Sequence, residues 1–220
     1  MEQKTLKEIH EDVPPDYYDT GLKSNLVQRI YHSRRFSKIC SMVSRVNGSI
    51  LDIGCDGGTL LEKVAERAGA KTVVGIDVSD EAVAYTLNKL PQFDVLVGDA
   101  EQLPFQESSF EAIFASEVLE HIHRPDLLFT EMRRCMTEDG YGLVVVPHET
   151  LLFKFLWFFW TRFGRGRVWH HAHVQEFGGD RLDMLMTDAG FRIVEDRYFL
   201  LGMLRAVKIS PKGAKQAAHE

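Results

Sequence analysis

The fold is decided by residues 51–60, which read LDIGCDGGTL. An apolar segment at residues 49–53 leads into three glycines, and apolar residues at helical spacing follow them. Glycines between a strand and a helix let the backbone turn tightly and let a ligand approach the backbone N–H groups. The stretch therefore predicts a strand, a ligand-binding turn and a helix in succession.

Strand and helix patterns continue to alternate through most of the chain. We predict strands at 49–53, 72–76, 93–97, 112–115 and 141–146, and two final strands near 191–198 and 202–209. The apolar runs do not alternate with polar residues, which is typical of parallel strands covered on both faces. The pattern predicts an α/β fold, a Rossmann-like, doubly wound, seven-stranded and mostly parallel sheet with helices on both faces. Such sheets bind ligands beyond the carboxyl ends of their strands.

Charge and composition divide the chain further. We expect a flexible arm at 1–20, a helical cap at 21–48, a main domain at 49–210 and a disordered tail at 211–220. An interruption at 148–178 forms an insertion after the fifth strand. Helical spacing from 24 to 46 indicates one long helix, and the helix before the fifth strand is expected to end at Asp139-Gly140.

Composition and charge exclude several classes of protein. The chain has 220 residues, is 45% hydrophobic and carries a net charge of −6, which gives little support to a nucleic-acid partner. Its three cysteines form no C-x-x-C pair, so neither a cysteine zinc site nor a disulfide framework is expected. The N-terminal residues lack the apolar core of a signal peptide, and no window is long enough to span a bilayer. We therefore expect a cytoplasmic protein.

Two aspartates follow predicted strands. Asp77 comes 23 residues after Gly54 and ends the second strand, where a carboxylate can accept both hydroxyls of a ribose. Asp99 follows the third strand, and a side chain there faces the ligand crevice. The alternatives are a plain strand–helix turn at Asp77 and a turn-forming aspartate after Gly98. The dinucleotide pattern G-x-G-x-x-G is absent, which disfavours a dinucleotide site.

These segments together resemble the class I S-adenosylmethionine-dependent methyltransferases, and within them the branch of ubiquinone- and menaquinone-type enzymes. The resemblance rests on the glycine loop, on GDAEQLPF at 98–105, on SFEAI at 109–113 and on EVLEHI at 117–122, in that order. It covers residues 49–147 strongly and 178–209 loosely. Where the usual run is acid-x-Gly-x-Gly-x-Gly, Asp56 replaces the middle glycine.

The resemblance implies a cofactor and a role for each matching position. S-adenosylmethionine would be the cofactor and S-adenosylhomocysteine the product. The glycine loop would lie against the methionine part, Asp77 would hold the ribose, and Asp99 would accept a hydrogen bond from the adenine amino group. Ser116 and Glu117 would lie beside the methyl-transfer centre. The implied cofactor-binding residues are Asp52, Gly54, Cys55, Asp56, Gly58, Asp77, Val78, Asp99, Ala100, Glu101, Ser116 and Glu117.

A second group of residues combines carboxylates and histidines. Glu117, Glu120 and His121 share one face if this segment is helical, and His148, His170, His171 and His173 follow downstream. Two carboxylates and two histidines could bind a divalent cation, as in small-RNA 3′-terminal 2′-O-methyltransferases. We expect no metal, because the same segment occurs without one in the branch that the chain resembles.

The same histidines are the candidate catalytic residues. His121, His171 and His173 could supply a general base near neutral pH or line an acceptor pocket. The alternative is that they satisfy backbone groups in a loop.

An aromatic segment lies inside the insertion. Residues 151–160, LLFKFLWFFW, contain six aromatic side chains and one charge, and Arg162, Arg165 and Arg167 follow. The segment could be a buried packing helix, a lid around an apolar acceptor or an interfacial helix. Residues 21–46 carry six basic residues and no acid, and residues 150–170 carry four and no acid. These runs indicate either solvated helix faces or surfaces for an anionic substrate or membrane.

The sequence thus predicts a methyltransferase that acts on a small-molecule acceptor. We expect an apolar or anionic acceptor, such as an amphiphilic, phosphorylated, lipid or quinone-like metabolite, and peripheral membrane contact through residues 151–167. The alternatives are a metal-assisted RNA 2′-O-methyltransferase and a non-catalytic module that binds S-adenosylmethionine.

Overall fold

A computed structural model describes residues 14–16, 19–21, 26–148, 162, 175, 177 and 180–214. Most of the insertion at 148–178 lies outside these residues, and so do His170, His171, His173 and the aromatic segment. Among the described residues, no helix is both long and apolar enough to cross a membrane.

Within the described chain, seven strands form one sheet in the order β3-β2-β1-β4-β5-β7-β6. Their bounds are Ser49–Ile53 (β1), Thr72–Asp77 (β2), Asp94–Val97 (β3), Phe110–Ser116 (β4), Met136–Pro147 (β5), Phe191–Phe199 (β6) and Leu204–Pro211 (β7). Strands β1 to β5 are parallel, whereas β7 pairs antiparallel with both β5 and β6. The predicted fold class is confirmed.

Helices cover both faces of this sheet. Their bounds are Leu26–Met42 (α1), Thr59–Ala68 (α2), Asp80–Lys89 (α3), Pro125–Cys135 (α4) and Arg181–Asp188 (α5), with a 3-10 turn at Leu119–His121. One apolar core joins α1, α2 and α3 to the sheet through residues such as Ile39, Leu61 and Val83. The other joins α4 and α5 to the opposite face, through Phe129 and Leu182.

Two helix ends differ from the sequence expectation. The helix α4 ends at Cys135, because the buried Met136 begins β5 and pairs with Phe110 of β4. The apolar residue that suggested another helical turn therefore belongs to the sheet, and the predicted end at Asp139-Gly140 is wrong. The helix α1 ends at Met42, before the predicted end at residue 46.

Candidate active site

A cavity opens where β1, β2, β3 and β4 end. The residues of the predicted site that line it are Gly54, Cys55, Asp56, Asp77, Val78, Asp99, Ala100, Ser116, Glu117 and His121. The parallel strands explain this convergence, since their carboxyl ends meet at one edge of the sheet.

The glycine loop turns through three residues with left-handed backbone. Gly54 has φ 69°, Asp56 has φ 44° and Gly58 has φ 72°. Aspartate is among the residues that tolerate this conformation best. Asp56 therefore keeps the turn at the position where the methyltransferases that the sequence resembles usually have a glycine. A side chain at Gly54 would collide with Val118, so this glycine is required for close packing against the segment after β4.

Asp77 is held by the backbone of the loops around it. Its carboxylate accepts hydrogen bonds from the N–H of Asp56 at 2.9 Å and from the N–H of Ser79 at 3.0 Å. These two bonds use different oxygens, and each carboxylate oxygen has a second lone pair. The oriented carboxylate lines the cavity and can accept from two adjacent ligand hydroxyls.

Acidic side chains in and next to the cavity have few hydrogen-bond donors around them. Burial, and then the charge of Asp77, raise the pKa of Asp52 to about 8 and the pKa of Asp56 to about 7. Asp56 Oδ2 and Ser116 Oγ are buried and have no hydrogen-bond partner among the described residues. Buried polar atoms are normally satisfied. A ligand that carries positive charge and N–H donors would satisfy them, which fits the amino-acid end of S-adenosylmethionine.

Helix α1 contributes residues that the sequence did not identify as site residues. Arg35 and Phe36 line the cavity, and the Arg35 guanidinium donates a hydrogen bond to the carboxylate of Glu117. Arg35 is only 3% exposed. The basic run at 21–46 was the available signal, but only the packing of α1 shows that Arg35 faces the cavity.

The segment after β4 does not form the predicted helical face. Glu117 has a left-handed φ of 58° and lies between β4 and the 3-10 turn of three residues that contains Glu120 and His121. The condition for a shared helix face is therefore not met, because Glu117 has a left-handed φ and lies outside the 3-10 turn. Glu120 is buried, and this burial and the Glu117 charge raise its pKa well above the usual value. His121 lines the cavity, as does Glu117.

Three predicted cofactor residues are not on the cavity wall. Asp52 is buried within β1. Gly58 lies against α3, since a Cβ there would be 2.6 Å from Thr86 Cγ2. Glu101 accepts a hydrogen bond from the backbone N–H of Arg124 at 2.9 Å.

The catalytic and metal predictions for the later histidines are not tested. His171 and His173 lie outside the described residues. Within the part of the chain that the structure describes, no group of three or more His, Cys, Asp or Glu residues is arranged to hold a metal ion. Metal-free catalysis stays a prediction.

A short N-terminal segment lies against the glycine loop. Asp19 accepts hydrogen bonds from Thr59 Oγ1 at 2.8 Å, Tyr85 OH at 2.9 Å and Lys89 Nζ at 2.7 Å. Burial raises the pKa of Asp19, but these hydrogen bonds outweigh it and leave the pKa below the usual value. A Cβ at Gly57 would collide with the Pro15 carbonyl oxygen. The end of the predicted flexible arm thus has specific partners.

Comparison with known proteins agrees with this architecture. Residues 51–144 match a family model described as a methyltransferase domain. A probable S-adenosylmethionine-dependent methyltransferase of Mycobacterium tuberculosis is 25% identical over 142 residues, which cover 64% of this chain and 48% of that protein. A demethylmenaquinone methyltransferase of Renibacterium salmoninarum is 34% identical over 139 residues, covering 62% and 56%. The chain spans about half the length of these curated relatives.

A solved structure supports the fold at low sequence identity. An S-adenosylmethionine-dependent methyltransferase of Thermotoga maritima, described as a possible histamine N-methyltransferase, superposes with a TM-score of 0.71. It is 18% identical, and the match covers 94% of this chain and all of the other. The motif order, the sheet order and the matched domain agree with one another: residues 51–144 are similar in sequence to methyltransferase domains, and the described chain has the fold of the solved methyltransferase structure.

Proposed function

We propose that this chain transfers a methyl group from S-adenosylmethionine to a small-molecule acceptor with an apolar body. The observation that carries the proposal is the cavity at the strand ends, where the oriented carboxylate of Asp77 and the glycine loop converge with Glu117 and His121. S-adenosylmethionine supplies a methyl group that is already activated on a sulfonium. The protein is then needed mainly to align the acceptor.

The described residues divide the cavity into two kinds of surface. Asp56, Asp77, Asp99 and Glu117 provide acceptors for the polar groups of the cofactor. Apolar side chains line the same cavity, namely Phe36, Leu60, Ile76, Val118 and Ile122. An apolar wall gains about 25 cal/mol for each Å² of apolar surface that it buries. This wall supports an acceptor with an aromatic or aliphatic body.

One of the relatives also supports an acceptor with an apolar body. The similarity to a demethylmenaquinone methyltransferase supports a quinone-like acceptor with an ionisable hydroxyl or an acidic carbon. Such an acceptor needs a base, and His121 lines the cavity. We assign to His121 the removal of the acceptor proton, because histidine accepts protons near neutral pH.

Acceptor selection and membrane contact are also part of this proposal. Residues 148–178 follow β5 in the sequence, and α1 brings Phe36 to the cavity. We assign acceptor selection to these two segments, with His171 and His173 as further candidates. Peripheral membrane contact through 151–167 would suit an amphiphilic acceptor.

Formation of S-adenosylhomocysteine is the direct test of this function. The protein is incubated with S-adenosylmethionine and one acceptor at a time: a reduced demethylated quinone, a simple phenol, a phosphorylated amine or a short RNA. We expect the quinol to give the fastest turnover. His121→Gln should lower kcat at least tenfold, whereas His123→Gln, two residues away and off the cavity wall, should not. Cofactor binding without turnover on any acceptor would instead indicate a binding module, and turnover only on RNA with added Mg²⁺ would indicate an RNA methyltransferase.

A further inference from the structure

The turn that connects β6 to β7 consists of apolar residues. Leu200, Leu201, Gly202 and Met203 join the two strands, and Leu201 is 82% exposed. Hairpin turns are usually made of Asn, Asp, Gly and other polar residues. Leu201 is the exposed residue of this turn, whereas Leu200, Gly202 and Met203 are half-buried, so one large apolar side chain faces water.

The backbone of this turn is also unusual for leucine. Leu200 has φ 51° and Leu201 has φ 60°, so two successive non-glycine residues adopt the left-handed conformation. Leucine is strained there, whereas asparagine and glycine are not. Leucine at position 201 is thus unfavourable for two reasons: its apolar side chain faces water, and its backbone is left-handed. Strained residues of this kind are concentrated at functional positions.

The turn is hydrogen-bonded to the residue after β5, at the edge of the sheet that carries the cavity. The N–H of His148, directly after β5, donates to the Met203 carbonyl at 2.8 Å, and His148 Nδ1 lies 2.8 Å from the Gly202 carbonyl oxygen. The His148 ring packs edge-on against Tyr198, with the centroids 4.9 Å apart. Since β5 ends at Pro147, which pairs with Leu204, the turn lies beside the carboxyl end of β5. This is the edge at which the cavity opens.

We propose that the β6–β7 turn is a lipid-docking point, where Leu201 inserts into the apolar boundary of a membrane and holds this edge of the sheet against it. Leu201 is 82% exposed, and the apolar interior of a membrane can accommodate a single exposed leucine without a preformed pocket. Tyr198, 51% exposed below the turn, has the aromatic ring and hydroxyl that favour the membrane–water interface.

The sequence after His148 supports lipid rather than a protein partner. The chain leaves β5 beside the turn and continues into residues 151–160, with six aromatic side chains, and then Arg162, Arg165 and Arg167. Aromatic residues flanked by arginines are typical of segments that lie in a headgroup region. This inference does not depend on methyl transfer.

Leu201→Asn tests the proposal, because asparagine removes the apolar side chain and tolerates the left-handed backbone. Co-sedimentation with phosphatidylcholine vesicles should show partitioning that is about tenfold weaker than for the unmodified protein. The melting temperature should rise by about 2–4 °C, because the strain is relieved. Leu201→Phe should retain vesicle binding. Met184→Asn, at a 57% exposed position on α5, is the matched control and should bind like the unmodified protein.

Four results would overturn the proposal. The first is no vesicle binding by the unmodified protein, and the second is equal binding by Leu201→Asn. The third is binding that requires phosphatidylglycerol and is independent of Leu201, because the arginines alone would then explain it. The fourth is a dimer that Leu201→Asn dissociates while vesicle binding stays unchanged, which would show that a second copy covers the turn.

Discussion

Arg35 of α1 donates a hydrogen bond to the carboxylate of Glu117, which follows β4, and both residues line the cavity at the strand ends. Arg35 is the one arginine or lysine among the described residues that line this cavity. The methionine end of S-adenosylmethionine carries both a carboxylate and an ammonium group. Arg35 can bind the ligand carboxylate, and Glu117 can bind the ligand ammonium group.

Arg35→Ala should therefore weaken the binding of S-adenosylhomocysteine. A hydrogen bond to a charged group contributes about 1.5–3 kcal/mol, so we expect calorimetry to show a loss of about 10- to 100-fold. Decarboxylated S-adenosylhomocysteine, which lacks the group assigned to Arg35, should bind the variant and the unmodified protein equally well. Arg34→Ala, at the exposed neighbouring position on α1, is the control and should leave both affinities unchanged.

An equal loss of affinity for both ligands would contradict this assignment. It would mean that Arg35 acts by holding α1 in place rather than by binding the carboxylate. A melting curve of Arg35→Ala distinguishes a folded variant from an unfolded one.

Asp77→Ala should weaken cofactor binding through the ribose. We expect a loss of about 1–3 kcal/mol, because the oriented carboxylate accepts from hydroxyls that are otherwise unmatched. An analogue of S-adenosylhomocysteine without the 2′ and 3′ hydroxyls should show no such loss. Asp80→Ala, at an exposed position three residues later, serves as the control. If the dihydroxy and dideoxy ligands lose affinity equally, Asp77 acts only by holding the glycine loop.

Gly58→Ala should destabilise the fold more than Gly69→Ala. Both glycines have left-handed φ, 72° and 65°, so both substitutions introduce backbone strain of about 1 kcal/mol. Only at Gly58 would the new Cβ meet packed atoms, 2.6 Å from Thr86 Cγ2 and 2.9 Å from Leu90 Cδ1. Urea denaturation should show an additional loss of about 1–3 kcal/mol at Gly58. Equal losses of unfolding free energy in the two variants would show that α3 can move away from the new side chain at residue 58 at no energetic cost.

The free energy of unfolding should depend on pH through Asp52. Burial and the charge of Asp77 raise the pKa of Asp52 to about 8, whereas an unfolded aspartate titrates near pH 4. Between about pH 4 and pH 8 the folded state binds more protons, so its stability falls as the pH rises.

Asp52→Asn should remove this contribution and make the slope less negative by up to about 1.4 kcal/mol per pH unit. Denaturation at several pH values measures this, with exposed Asp139→Asn as the control. An unchanged slope in Asp52→Asn would contradict a protonated Asp52.

The sequence predicts the fold well because its determinants are local. The strand-glycine-helix turn at 51–60 and the apolar strands each depend on neighbouring residues, and their order fixes which strand ends meet. Asp77 and Asp99 were therefore predictable, since each follows a strand at the ligand edge. The burial of Asp52 was not predictable, because its place in the glycine motif does not reveal that its side chain lies within β1.

The parts that sequence could not predict depend on distant packing. Arg35 and Glu117 are 82 positions apart, and only the packing of α1 in the folded chain brings them together. Asp19 likewise accepts a hydrogen bond from Lys89 of α3, which is 70 positions away in the sequence. At Glu117 the pattern was misleading, since i, i+3, i+4 spacing predicts a helix face but a left-handed residue interrupts it.

The most direct measurement is a crystal structure of the protein with S-adenosylhomocysteine. The ligand should occupy the cavity at the ends of β1, β2 and β4, with its ribose hydroxyls bonded to Asp77, its adenine beside Asp99 and Ala100, and its carboxylate on Arg35. A ligand bound elsewhere, or bound here without contact between the ribose and Asp77, would contradict the account.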